Sequence, residues 1–454
     1  MGKIHIRNVY CLLTSYDEPY QYGVDVKING NTIEEIGKNL PIERGYDTID
    51  ASKCVVTPGF VNTHHHFYQT LTRNIPQVQD AKLFDWLVYL YEIWKNLDDD
   101  AIYYSSLLAM AELMKTGCTL STDHHYVYPK GMKGDPMAIQ FEASDTLGMR
   151  FSPTRGSMCL SKKDGGLPPD SVVQTEEEIL RHSEECIKKY HDYSPLSMHR
   201  IVLAPCSPFS VTASIMKDSA ILARKYGVRL HTHLCETKDE ENQCLDMYGL
   251  RPMELMEKCD LLGSDVFYAH GIYFSDKELE ILRDTGTMIS HCPSSNMRLG
   301  SGICRVKEML DMGINVSLGV DGSASNDSSD MLGEMRMALM LQRVKYGSDS
   351  LKARDVFKMA TVNGAKTLGY EGTLGKIHKG FGADLAIFDV DKLPYAGAQS
   401  DPVAALLFCG TNHETKHTIV NGEFTVRDGV LVGFDEDLIK TKANEISKKM
   451  LEKA

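Results

Sequence analysis

Apolar and polar positions follow two rhythms along this chain. At both ends they alternate with period two, the pattern of half-buried strands. Lys3-Ile-His-Ile6 and Val24-Asp-Val-Lys-Ile28 alternate near the start, and Gly382-Ala-Asp-Leu-Ala-Ile-Phe-Asp-Val390 and Thr418-Ile-Val420 near the end. Asn29-Gly30 and Asn421-Gly422 mark hairpin turns, because a type I′ turn needs positive φ at both central residues. Two β-rich ends around a long centre predict one small, sandwich-like β domain built from both termini.

Through the centre, short apolar strands alternate with helical periods. Asp98 stands before Leu107, Met110, Ala111 and Met114, spaced i, i+3, i+4 and i+7, and Gly117 follows as a stop. Strands read at the run into His64, at Cys118–Thr122, 150–153, 201–204, 228–231, 266–269, 287–290 and 314–318. Eight βα steps predict an α/β fold, a distorted (β/α)8 TIM barrel. The expected boundaries are 1–57 plus 370–433 for the β domain, 58–369 for the barrel and 434–454 for a charged C-terminal helix.

Composition narrows the partners. The 454 residues carry 62 acidic and 49 basic side chains, a net charge of −13. No basic stripe suggests nucleic acid. The N-terminus has no signal-peptide core, and no apolar run approaches the roughly 18 residues of a membrane span. Twelve cysteines without a C-x-x-C pair read as buried, reduced thiols, so a cytoplasmic protein is expected. A homo-oligomer, dimer or larger, is compatible with these features.

Chemistry gathers where the central strands end, which is where barrel active sites are built. His64 and His66 sit at i and i+2 and point the same way on a strand, so both imidazoles can reach one ion. His65 faces away. His231 and His233 repeat the alternation: His233 reads as a ligand, while His231 is either a site residue or an inward-facing core histidine. Glu236, three residues on, reads as a proton shuttle beside the metal's water. His270 ends another strand. Asp321 follows a mostly apolar run, where an unpaired carboxylate is expensive to bury; metal ligation would explain it, and a helix N-cap is the alternative. His413-Glu-Thr-Lys-His417 fits H-E-x-x-H in letters, but that motif needs a helix, and a hairpin strand is expected here.

These residues resemble the amidohydrolase superfamily. Pro58-Gly-Phe-Val-Asn-Thr-His-His-His66, His231-Thr-His-Leu-Cys-Glu236, His291-Cys-Pro-Ser-Ser-Asn296 and Gly319-Val-Asp-Gly-Ser323 carry the resemblance. It is narrower to the mononuclear branch that is cytosine-deaminase-like and chlorohydrolase-like. The resemblance implies one Zn²⁺, or Fe²⁺, held by His64, His66, His233 and Asp321, with Glu236, His270 and Asp321 handling protons. The fourth strand lacks the lysine that binuclear members carboxylate. His64–Arg73, Asp80–Leu87 and Ala204–Val211 look most like the 8-oxoguanine deaminase group. That implies a deaminase of a purine-like heterocycle; pterin, guanine, cytosine and triazine substrates are alternatives, as is a non-catalytic scaffold. Gln69 and Arg155 are candidates for reading the substrate's edges, against a loop hydrogen bond and a structural ion pair. Trp86 is a candidate apolar wall, or helix packing, and Cys206 a candidate pocket residue.

Overall fold

The computed structural model describes residues 2–410 and 413–453. Eight parallel strands form a ring. The first is Phe60–Asn62; the second is Cys118–Ser121, continued by His124–His125; the third is split into Arg150–Phe151 and Thr154–Ser157. Val202–Pro205, Arg229–Leu234, Val266–His270, Met288–His291 and Val316–Leu318 complete the set. The ring closes where Thr63 N donates to Leu318 O at 2.9 Å and Asp321 N to His64 O at 3.0 Å. The result is a distorted α/β barrel.

The split third strand departs from the single strand read at 150–153. Pro153 has no N–H to give the ladder, so pairing breaks there. Arg150 and Phe151 pair with Leu120 and Ser121. Thr154–Ser157 pairs instead with His124–His125 on one side and with Val202–Pro205 on the other.

Around the barrel, helix boundaries follow local capping. In the helix Asp99–Lys115, Asp98 accepts from Ala101 N at 2.9 Å and satisfies an otherwise orphaned donor. Leu107, Met110, Ala111 and Met114 are buried. Gly117 follows at φ +92.

Both chain ends build two small sheets. Lys3–Val9, Val24–Asn29, Thr32–Gly37 and Asp47–Asp50 form one. In the other, Cys11–Leu12 and Cys54–Pro58 join Leu385–Asp389, His417–Val420, Glu423–Arg427 and Val430–Leu431. Ile6, Val26, Ile28, Val56, Leu385, Ile387 and Ile419 share one core. Asn421 and Gly422 both have positive φ, as a type I′ turn requires. The first hairpin turns one residue later than read, at Gly30-Asn31, because Ile28 pairs with Ile33 and both are buried.

His413 and His417 are not on a helix. His417 opens a strand, and His413 contacts Asp330. Thr411 and Asn412, which precede the motif, lie outside the described residues. The final helix, Glu436–Glu452, packs on Asp99–Lys115 and on the 3-10 turn Phe67–Thr72, where Ser447 Oγ donates to Leu71 O at 2.7 Å. No helix among the described residues is long and apolar enough to cross a membrane.

Candidate metal centre

Strand period and barrel tilt bring the expected side chains to one mouth. His66 Nε2 lies 3.2 Å from His233 Nε2 and 3.3 Å from Asp321 Oδ1. His64 Nε2 lies 3.4 Å from the same Asp321 oxygen. On the other side of Asp321, His270 Nε2 is 4.0 Å from Oδ2 and 3.5 Å from Glu236 Oε2. All six side chains are buried.

The histidines are oriented by their other nitrogens. His66 Nδ1 donates to His124 O at 2.8 Å, and His233 Nδ1 to Cys206 O at 2.7 Å. His231 Nδ1 donates to Phe267 O at 2.9 Å, and burial keeps the ring neutral. Its Nε2 therefore accepts, and His64 Nδ1 donates to it at 2.8 Å. Each of the three rings thus turns a lone pair on Nε2 into one small space, the arrangement that outer partners impose on ligating histidines. His64 Nε2 is buried with no hydrogen-bond partner. Three neutral imidazoles and one carboxylate are a donor set for a four-coordinate divalent ion such as Zn²⁺.

Electrostatics separate the acids. Burial alone would raise Asp321, but the imidazoles of His64, His270 and His66 hold its carboxyl well below the usual range. Burial raises Glu236, against the pull of His270. Burial would lower His270, yet Glu236 and Asp321 outweigh it and raise the ring's pKa, and Asn296 Oδ1 sits 2.9 Å from its Nδ1. Burial lowers His66 to about 3, so it is neutral and ready to ligate. Three non-glycine residues here adopt left-handed backbone: Cys235 (φ +55), His270 (φ +74) and Asp321 (φ +63). Strain of about 1–3 kcal/mol per residue persists only where surroundings enforce it, and it clusters at functional sites.

The cavity above the centre is lined by Gln69, Trp86, Tyr91, Tyr126, Cys206 and Phe209, with Leu83, Leu87, Leu299 and Ser325. Gln69 lies against the backbone after Asp321: a Cβ on Gly322 would fall 1.9 Å from Gln69 Oε1, so a side chain at 322 would displace the amide. Gln69 Oε1 and Trp86 Nε1 are buried without partners. Burial pushes the Cys206 thiol up to about 12, so it stays protonated.

Arg155 does not line this cavity, which corrects its reading as a substrate contact. It points outward between strand and helix. Nε donates to His182 Nδ1 at 3.1 Å and an Nη to Gln174 Oε1 at 2.7 Å, and the guanidinium lies 4.2 Å from the Tyr128 ring centroid. His182 also belongs to a cluster with Asp135 and Cys186. Because its Nδ1 accepts from Arg155, its Nε2 carries the proton toward Asp135 at 3.2 Å and offers no lone pair.

Two supporting residues escaped sequence reasoning. His124 stacks on His233 with centroids 4.6 Å apart and 16° between planes, and Glu240 holds the turn at Glu236. His124 belongs to a further His-His pair at a barrel strand's end, the one signal that marked it.

With this geometry, the chain belongs to the amidohydrolase family, which it matches over residues 55–425. It is 44% identical to the 8-oxoguanine deaminase of Pseudomonas aeruginosa, over 96% of each chain. It is 34% identical to an isoxanthopterin deaminase of an unknown prokaryotic organism, over 98% of this chain and 97% of the other. Among solved structures it resembles atrazine chlorohydrolase from Arthrobacter aurescens TC1 complexed with zinc, with a TM-score of 0.93 and 30% identity, covering 98% and 100% of the two chains. It is therefore an enzyme of a family that includes deaminases, which hydrolyse C–N bonds.

Proposed function

We propose that this enzyme is a metal-dependent deaminase of a purine-like base, converting 8-oxoguanine and water to urate and ammonia. Supporting this reading is a mostly apolar cavity that ends on the metal centre and is lined by Gln69 and Trp86, whose Oε1 and Nε1 are buried without partners. An aromatic bicycle with N–H and carbonyl edges satisfies both, and the substrate named for the P. aeruginosa relative is one.

His64, His66, His233 and Asp321 would hold one Zn²⁺, with Fe²⁺ as the alternative. Such an ion, once bound, lowers the pKa of a coordinated water from 15.7 to about 7. The residues then divide the proton work. Asp321, aided by His270 at 4.0 Å, accepts the proton of the attacking water. Water's oxygen adds to the ring carbon bearing the exocyclic amine. Glu236, kept protonated more readily by burial, delivers a proton to the adjacent ring nitrogen. The exocyclic amine then takes the proton held by Asp321, the C–N bond breaks and ammonia leaves, and the new hydroxyl returns a proton to Glu236 as it becomes the carbonyl. Gln69 and Trp86 orient the ring, while Leu83, Leu87, Phe209 and Leu299 exclude bulk water. The twelve free cysteines suit a reducing cytoplasm.

A pterin is the second reading, favoured by the isoxanthopterin deaminase relative. Ammonia release across purines and pterins tests both, with metal content measured on the same protein. The highest kcat/KM on 8-oxoguanine supports the proposal; a tenfold preference for a pterin replaces it.

A further inference from the structure

The turn that aims Glu236 is built around a second acid. Cys235 N and Glu236 N each donate to Glu240, at 2.8 Å to Oε1 and 2.8 Å to Oε2. Successive main-chain N–H groups turned to one side form an anion-binding concavity, and here the chain fills it with its own carboxylate. Glu240 is 1% exposed, and burial raises its pKa to about 7 against the pull of the Glu236 and Cys235 N–H groups.

Its local setting makes the bond unusual. Glu240 is the third residue of the helix Lys238–Tyr248, and its N–H goes to the Thr237 cap at 3.2 Å. In a capping box, a glutamate at this position bonds the N–H of the cap residue itself. Glu178 does so with Thr175, and Glu278 with Ser275. Glu240 passes the cap and takes the two N–H groups before it. Cys235, between them, is left-handed at φ +55, and its carbonyl accepts from Ile272 N at 2.8 Å and Tyr273 N at 3.0 Å. The strained turn is thus pinned on one side by Glu240 and on the other by the segment that follows His270.

From this geometry we infer that Glu240 is the positioning residue for Glu236, its carboxylate locking the turn that directs Glu236 at the metal centre. The inference rests on Glu236 being the proton carrier.

The test is Glu240→Ala beside Glu236→Gln, both metal-loaded. Glu240→Ala is expected to lose about 10²-fold in kcat, the scale of a small misplacement of a reacting group, with KM within threefold and one metal per chain retained. Propionate or formate, which can refill the N–H cradle, is expected to restore kcat at least about tenfold and saturably, while chloride at equal ionic strength does not. A kcat within threefold of wild type, metal loss, or no carboxylate rescue overturns the inference. Full activity in Glu236→Gln overturns the underlying reading instead. Should the alanine variant fail to fold, Glu240→Gln, which keeps one accepting oxygen, decides the matter. A roughly tenfold loss in kcat at unchanged KM and metal content supports the inference, and an unchanged kcat contradicts it.

Discussion

His64 Nδ1 stands 2.8 Å from His231 Nε2, so one buried histidine fixes the tautomer of another that faces the metal centre. The chain continues to the Phe267 carbonyl, 2.9 Å from His231 Nδ1. Replacing His231 by Phe keeps an aromatic ring and removes the acceptor. Outer partners of this kind are worth about 10–100-fold in metal affinity. Competition titration with a zinc chelator is expected to show a loss in that range; unchanged affinity would leave His231 a packing residue only.

Glu236→Gln removes a proton carrier and no ligand. Metal content should stay at one per chain while turnover falls by about 10²–10⁴-fold, the usual contribution of positioned acid–base groups. Wild-type turnover in this variant would sink the assignment.

Glu334 ties two active-site segments together. Its oxygens accept from Ser294 N at 3.0 Å and Asn326 Nδ2 at 3.1 Å, and burial pushes its pKa to about 8. Unfolded, the group titrates near 4.5. The folded state therefore holds a proton that the unfolded state releases. This contribution is full below the unfolded pKa and is lost as pH rises through about 8. The loss is on the order of a few kcal/mol. Glu334→Gln cannot ionise, so its melting temperature relative to wild type should climb between pH 5 and 8. A difference that stays flat across that window would show that Glu334 does not titrate there.

Arg155→Met should weaken the fold and spare substrate binding, because its guanidinium serves His182, Gln174 and Tyr128. Loss of buried, charge-assisted bonds costs about 1–3 kcal/mol, equivalent to about 1–3 °C in melting temperature for a chain of this length. KM is expected within twofold of wild type, by steady-state kinetics. A tenfold rise in KM at unchanged stability would return Arg155 to the substrate site.

Much of the centre was legible because barrel geometry leaves little choice. His270 ends a strand, His233 is next to last in one, and His64, His66 and Asp321 follow strands within four residues, so the alternation read through His64, His65 and His66 still selects His64 and His66. The same rule could not separate His231 from His233, since both share a face; depth in the barrel decides, and depth is not written in the alternation. Arg155 was misread for a related reason. The ladder restarts after Pro153, so Thr154 and Gly156 turn inward and Arg155 outward, and one step of register exchanges the faces. Glu240 was invisible because its Thr-x-x-Glu spacing announces an ordinary capping box. Only the folded turn shows it reaching past the cap.

The most direct test is anomalous diffraction at the zinc edge from crystals of the zinc-loaded protein. One strong peak bounded by His64 Nε2, His66 Nε2, His233 Nε2 and an Asp321 oxygen is the expected result. A peak at Asp135, His182 and Cys186, or two peaks at the barrel mouth, would contradict a single ion held by those four residues.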